Sequence, residues 1–263
     1  MNARGATATM LKTGFAEAMA YRSEVFIWIL STTMPLIMYA MWSTLAAEAP
    51  VGRFDESTFA AYFLSTLIVR QLAAAWVVWE LNWTIRTGAL STMLLRPTHP
   101  LYYFALQNMG MLPFRIAVLI PVVVVAWFTL PELPFVLQPL NCFLYIWTIF
   151  WAWVLTFTVQ SMFGLLALYT QQSLSFQDAW FGVWSLLSGY LIPLSVVPGL
   201  QAVANWLPFR AMGSLPTEIL LGHLQGAQLW QGLGAQLLWV GIVFVMIRIF
   251  WNKAIRRFEA FGG

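Results

Sequence analysis

Residues 141–169 contain no Asp, Glu, Lys or Arg. A helix needs roughly 20 apolar residues to cross the hydrocarbon of a bilayer, and backbone can face lipid only where it pairs its own amides. Five further stretches meet that demand, at residues 24–47, 58–81, 106–130, 179–197 and 231–251. The one at 106–130 is the least regular, because residues 116–130 alone would reach only about 22 Å at the helical rise. It must extend back past Arg115 toward Leu106, which puts Arg115 about one turn inside the boundary with its head snorkelling to water or phosphate. The expectation is an all-α integral membrane fold, one transmembrane domain of six helices.

Composition agrees with lipid as the main solvent. The chain is 60% hydrophobic and 9% charged, against about 25% charged in soluble domains. Fifteen Trp and twenty Phe suit lipid-facing surfaces and the headgroup level. A net charge of +3, with its basic residues in no single patch, gives no reason to expect nucleic acid as a partner. Cys142 is the only cysteine, so an intrachain disulfide or a CxxC site is impossible.

Catalytic patterns are missing as well. His99 and His223 are the only histidines and flank different segments, and the sequence holds no GxxxxGK[ST], HExxH or GxSxG run. These absences speak against a nucleotide-phosphate cradle, a zinc hydrolase and a serine hydrolase on this chain. No enzymatic activity and no cofactor are expected here. The first apolar stretch begins only after Arg22 and Glu24, too late and too long for a signal peptide.

Cations predict the orientation, since they are enriched on cytoplasmic flanks. A cytoplasmic N-terminus puts Arg4, Lys12, Arg22, Arg86, Arg96, Arg248, Lys253, Arg256 and Arg257 on one side, and Glu48, Arg53, Asp55, Glu56, Glu132 and Arg210 on the other. Six spans then leave both termini in the cytoplasm, in a plasma (inner) membrane. Ahead of the first span, residues 5–22 place Leu11, Phe15, Ala18 and Met19 at helical spacing, which fits a helix lying in the interface.

Three features point toward mechanism. Between the second and third spans, Leu90, Met93, Leu94 and Leu95 stand at helical spacing beside Arg86 and Arg96, after Gly88 and before Pro97. Such a short amphipathic helix either offers a partner a hydrophobic ridge or rests on headgroups. Residues 198–230 are too apolar for a free loop and too often broken, by Pro208, Gly213, Pro216 and Gly222, to cross as one helix. They read as short re-entrant helices, either a lid over a path or a structural plug. Finally, Arg70 and Glu80 lie within or at the end of the second span, where a charge is costly unless paired or wet. Arg70 serves either a substrate anion or a structural pair.

The N-terminal segment, the run Gly88-Ala89-Leu90-Ser91 to Leu94-Leu95-Arg96-Pro97 and the segment Asn205-Trp206-Leu207-Pro208-Phe209 together resemble the permease subunit of the ABC-2 type exporter superfamily, over nearly the full chain. The resemblance implies a permease that pairs with itself or a sister permease and engages two ABC-type ATPase subunits, which hold ATP and Mg. It casts Arg86, Gly88, Leu90, Leu94, Leu95, Arg96 and Pro97 as a coupling helix, and Trp206, Pro208, Phe209 and Pro216 as an outer gate. Spans two and five would border a central cavity. Two other readings stand beside it. An ion-gradient-driven transporter would need a relay of ionisable residues, for which Arg70 and Glu80 are thin material. A non-transporting scaffold subunit is a third reading, because fold does not fix function.

Overall fold

The protein is described by a computed structural model covering residues 3–20, 34–130 and 132–258. Residues 24–33 of the expected first span lie outside the described residues. Thirteen α-helices follow one another among those described: α1 (Ala3–Ala20), α2 (Met34–Glu48), α3 (Glu56–Leu72), α4 (Val77–Arg86), α5 (Leu90–Leu94), α6 (Pro100–Gly110), α7 (Leu112–Thr129), α8 (Pro139–Leu165), α9 (Ser173–Leu187), α10 (Pro198–Ala204), α11 (Phe209–Met212), α12 (Ser214–Leu220) and α13 (Gly226–Ala254). No strand forms among them, and extended pairing is confined to a bridge between Val51 and Phe54.

Sequence chemistry sets many of the helix starts. Proline, which lacks the N–H that a first turn leaves unpaired, occupies the first turn of α6, α7, α8 and α10. Asp55 caps α3 by accepting the Thr58 N–H at 2.8 Å.

Among the described residues, four stretches are long and apolar enough to cross a membrane: Glu56–Arg86, Pro100–Thr129, Pro139–Leu168 and Gly226–Arg257. Their burial differs sharply, from 78% in the apolar window of the first to 17% and 22% in the second and fourth. The α3–α4 stretch is therefore the inner wall of the bundle, while α7 and α13 present apolar side chains outward. Phe128 is 82% exposed, which only lipid would make tolerable.

α8 is the hub. It packs against α4, α9, α12 and α13, and Tyr145, Ile149, Trp153 and Phe157 of its buried face join Leu81, Ile85 and Leu90 in the largest core cluster. α1 does more than rest on an interface, since it crosses α6 so closely that a Cβ on Gly14 or Gly110 would strike the other helix's backbone.

The helix limits depart from the hydropathy reading at three places. The second stretch, expected to be one helix over residues 58–81, is interrupted between Leu72 and Val77 and then runs on to Arg86. The third begins at Pro100 rather than near Leu106 and is broken by a turn at Met111. The fifth, expected over residues 179–197, is the helix Ser173–Leu187, about 22 Å long at 1.5 Å per residue. It stops because Gly189 takes a φ of +81°, a conformation that costs other residues. The Gly189 carbonyl accepts the Tyr62 hydroxyl at 2.7 Å, and the Leu191 carbonyl accepts the Trp42 indole N–H at 3.2 Å.

Side-chain contacts sort the loops into two ends. At one end, His99 lies against Trp251, Tyr169 stacks on Phe250, Arg257 sits over Tyr169, and Arg86 donates to the Gln171 carbonyl at 2.5 Å. At the other, Phe54 meets His223, and the Val136 N–H donates to the Leu220 carbonyl at 2.8 Å. Arg86, Arg96, Lys253, Arg256 and Arg257 therefore gather at the first end, and Asp55, Glu56 and Glu132 at the second.

Short helices α10 to α12 fold back between these walls. Their exposed carbonyls find side-chain donors. Gln236 of α13 gives its amide protons to the Thr148 and Ala211 carbonyls at 3.0 and 2.9 Å, and Asn141 donates to Ile219 at 3.0 Å. Gln236→Leu leaves the Ala211 carbonyl buried and unpaired, and should destabilise the detergent-solubilised protein by about 1–2 kcal/mol. The exposed Gln231→Leu on the same helix serves as control, and thermal aggregation midpoints measure both.

Candidate functional site

Alanine is the best helix former, so nothing local explains why the chain leaves the helix across Ala73, Ala74 and Ala75. The Ala73 N–H still bonds the Val69 carbonyl at 2.8 Å, but α4 restarts at Val77 with no side-chain cap. Such a break strands backbone groups where water cannot reach them. Arg115 of α7 supplies one partner, donating from Nη1 to the Ala74 carbonyl at 2.6 Å. It is 3% exposed, so the snorkelling expected from sequence is replaced by an inward role. The gain is a charge-assisted bond to a carbonyl that no helix could satisfy. Glu80, in the first turn of α4, attracts Arg115 electrostatically and suits the positive end of a helix. One of its buried oxygens has no partner among the described residues.

The break opens a cavity of about 220 Å³. Arg70, Ala75, Trp76 and Trp79 come from the broken stretch, Thr156 and Gln160 from α8, and Gln177, Asp178, Trp180, Phe181 and Trp184 from α9, with Tyr190 and Met212 completing the wall. Spans two and five, by the sequence count, supply most of it. The Arg70 guanidinium lies 5.5 Å from the centre of the Phe181 ring and 5.2 Å from that of Trp184. Among the described residues no carboxylate comes within 4.0 Å of it, since the ion pair there joins Arg210 to Glu218. Arg70 and Glu80, considered together from sequence, are not brought together as a pair, and Glu80 is absent from the cavity wall.

At the basic end, Gly88 turns the chain with a φ of +73° before the single-turn α5. Its residues divide. Leu90, expected on an exposed ridge, is fully buried in the main core, whereas Leu94 is 37% and Leu95 88% exposed, beside exposed Arg96 and Pro97. Arg86 is held in place, donating to Asn82 at 2.9 Å and to the Gln171 carbonyl.

In the segment between α9 and α13, Trp206 is 84% exposed, Phe209 is buried against Trp180 at 4.6 Å, and Pro216 is buried inside α12. Pro208 precedes α11, where Arg210 pairs with Glu218 at 2.5 Å and reaches Asn205 at 2.9 Å. That pair joins two short helices, and sequence reading missed it along with Gln160, Gln177, Asn141 and Gln236. Their signal was a polar residue inside an apolar run, which stays ambiguous until its partner is known.

A lipid-facing shell around a broken inner helix, with buried arginines and an aromatic-walled cavity, defines a helical integral membrane protein built around an internal site. The chain belongs to the ABC-2 family of transporter proteins, whose family description, "ABC-2 family transporter protein", matches residues 53–262. No curated protein matches it. Membership makes it a membrane component of an ABC-type transporter, and the family in general works with an ABC ATPase. The match includes the broken stretch, α5 and the α10–α12 segment, and leaves out α1 and α2.

Arg115→Met should destabilise the protein by about 1–3 kcal/mol, because it leaves the buried Ala74 carbonyl unpaired and removes the electrostatic attraction that Arg115 exerts on Glu80 without an ion-pair contact. Adding Glu80→Gln should recover part of that loss. A double-mutant cycle on thermal midpoints reads the coupling.

Proposed function

We propose that this chain is the transmembrane subunit of an ATP-binding-cassette exporter, forming part of the translocation path and coupling to a separate ATPase that holds ATP and Mg. It sits in the inner (plasma) membrane with both termini cytoplasmic, so the basic end faces the ATPase. It works as a dimer, with a second copy or a sister permease.

The observation that carries this reading is the division of residues 88–97. Leu90 anchors the turn in the bundle while Leu94 and Leu95 project from it. An apolar tip on a buried anchor transmits a push, and a partner groove would cover it. Arg86, tied to the loop before α9, extends that connection to the cavity wall. Arg96 and Pro97 flank the tip, Gly88 lets it turn, and the cavity beside the α3–α4 break supplies the path. Trp206, Pro208, Phe209 and Pro216 form the outer gate, with α11 and α12 clamped by Arg210 and Glu218.

The purified chain should hydrolyse no ATP alone and should gain activity with its cognate nucleotide-binding subunit. Leu94→Asp or Leu95→Asp should abolish co-purification of that subunit while insertion and monodispersity are kept. Leu90→Asp should instead collapse the permease itself, because it buries a charge. Undiminished co-purification with both exposed-site variants would overturn the coupling assignment.

A further inference from the structure

Resting on the transporter reading, we infer that the cavity around Arg70 receives the anionic group of an organic substrate whose adjoining body is aromatic. The first reason is charge. A guanidinium stays protonated in proteins and presents five N–H donors, and burying it within a membrane is expensive unless a counter-charge or water meets it. No carboxylate lies within 4.0 Å among the described residues, and Asp178, the carboxylate on the cavity wall, is an exposed residue that makes no ion pair with it. The Tyr190 hydroxyl accepts one hydrogen bond from Arg70, and Phe181 and Trp184 attract the charge, yet these neutral groups satisfy few of its N–H donors, and Arg70 Nε has no partner among the described residues. An anion supplies what the rings do not, since planar guanidinium recognises carboxylate, sulfonate and phosphate oxygens two at a time.

The second reason is the wall. Trp76, Trp79, Trp180, Phe181 and Trp184 share the cavity wall with the cation, and stacked rings recognise another flat ring better than an acyl chain. Gln160 and Gln177, 7% and 4% exposed, bring buried amide oxygens without partners among the described residues to the same space, positions for a donor on the ligand or for water. The third reason is size. At about 220 Å³ the cavity is smaller than the roughly 300–1,000 Å³ of complete ligand pockets. It therefore holds one end of a substrate, the anionic head with its nearest ring, while the rest extends toward the open side.

The test uses the permease alone in phosphatidylcholine nanodiscs, so its outcome does not depend on the ATPase. Equilibrium dialysis, corrected with empty nanodiscs, compares naphthalene-2-sulfonate, the cation 2-naphthyltrimethylammonium and inorganic sulfate. The expected order is saturable binding of the sulfonate and far weaker binding of the other two. Arg70→Gln should weaken the sulfonate about tenfold or more, as expected for a charge-assisted hydrogen bond. Arg70→Lys should retain part of the affinity, Trp184→Leu should lose affinity for the sulfonate, and exposed Arg248→Gln should change nothing.

Equal binding of the cation and the anion by the unaltered protein would overturn the assignment, even if every Arg70 variant misfolds. So would full affinity in a monodisperse Arg70→Gln. Displacement of the probe by phosphatidylglycerol included in the nanodisc would also overturn it, because the site would then be one for a lipid headgroup. Failure of the ATPase to co-purify, by contrast, bears on the coupling assignment and leaves these measurements untouched.

Discussion

Every irregularity in this bundle answers to one constraint: in lipid, a backbone amide or carbonyl that leaves a helix must find its partner inside the protein. The second stretch leaves its helix at Ala73, and Arg115 reaches across from α7 to the Ala74 carbonyl. The segment after α9 folds back, and Tyr62, Trp42, Gln236 and Asn141 meet the carbonyls it exposes. These polar side chains in apolar helices therefore license broken backbone elsewhere.

That economy separates two kinds of arginine. Arg115 and Arg210 have definite acceptors, a carbonyl for one and the Glu218 carboxylate for the other. Arg70 has two rings and the neutral Tyr190 hydroxyl beside it and no carboxylate in contact among the described residues. Structural cations in a membrane come with their partners. A cation held by aromatic faces on a cavity wall is left able to take one, and this distinguishes a binding group from a brace.

The two ends of the molecule are linked through the same inner stretch. α4 runs from the cavity to Arg86, whose guanidinium bonds the loop before α9, and α9 carries Phe181 and Trp184 back to Arg70. A displacement of the turn at Gly88 would thus act on both walls of the cavity. The broken helix is the natural place for that motion, because α4 can tilt without unwinding α3.

Much of this was written in the sequence. Uncharged runs announced membrane helices, because charge is too costly to lose by accident there, and α8 and α13 follow them closely. The exposed Leu94 and Leu95, and the isolation of Arg70 in an apolar run, were also visible. Hydropathy was blind to the break at Ala73, since three alanines favour a helix and only packing against Arg115 and α8 makes leaving it tolerable. It was equally blind to the direction of Arg115, to the burial of Leu90 and to the Arg210–Glu218 pair. Local composition determined which segments enter the membrane, through the cost of transfer for each residue. Which polar groups meet inside it was decided only by the tertiary structure, because a hydrogen bond depends on two positions in space that no local pattern specifies.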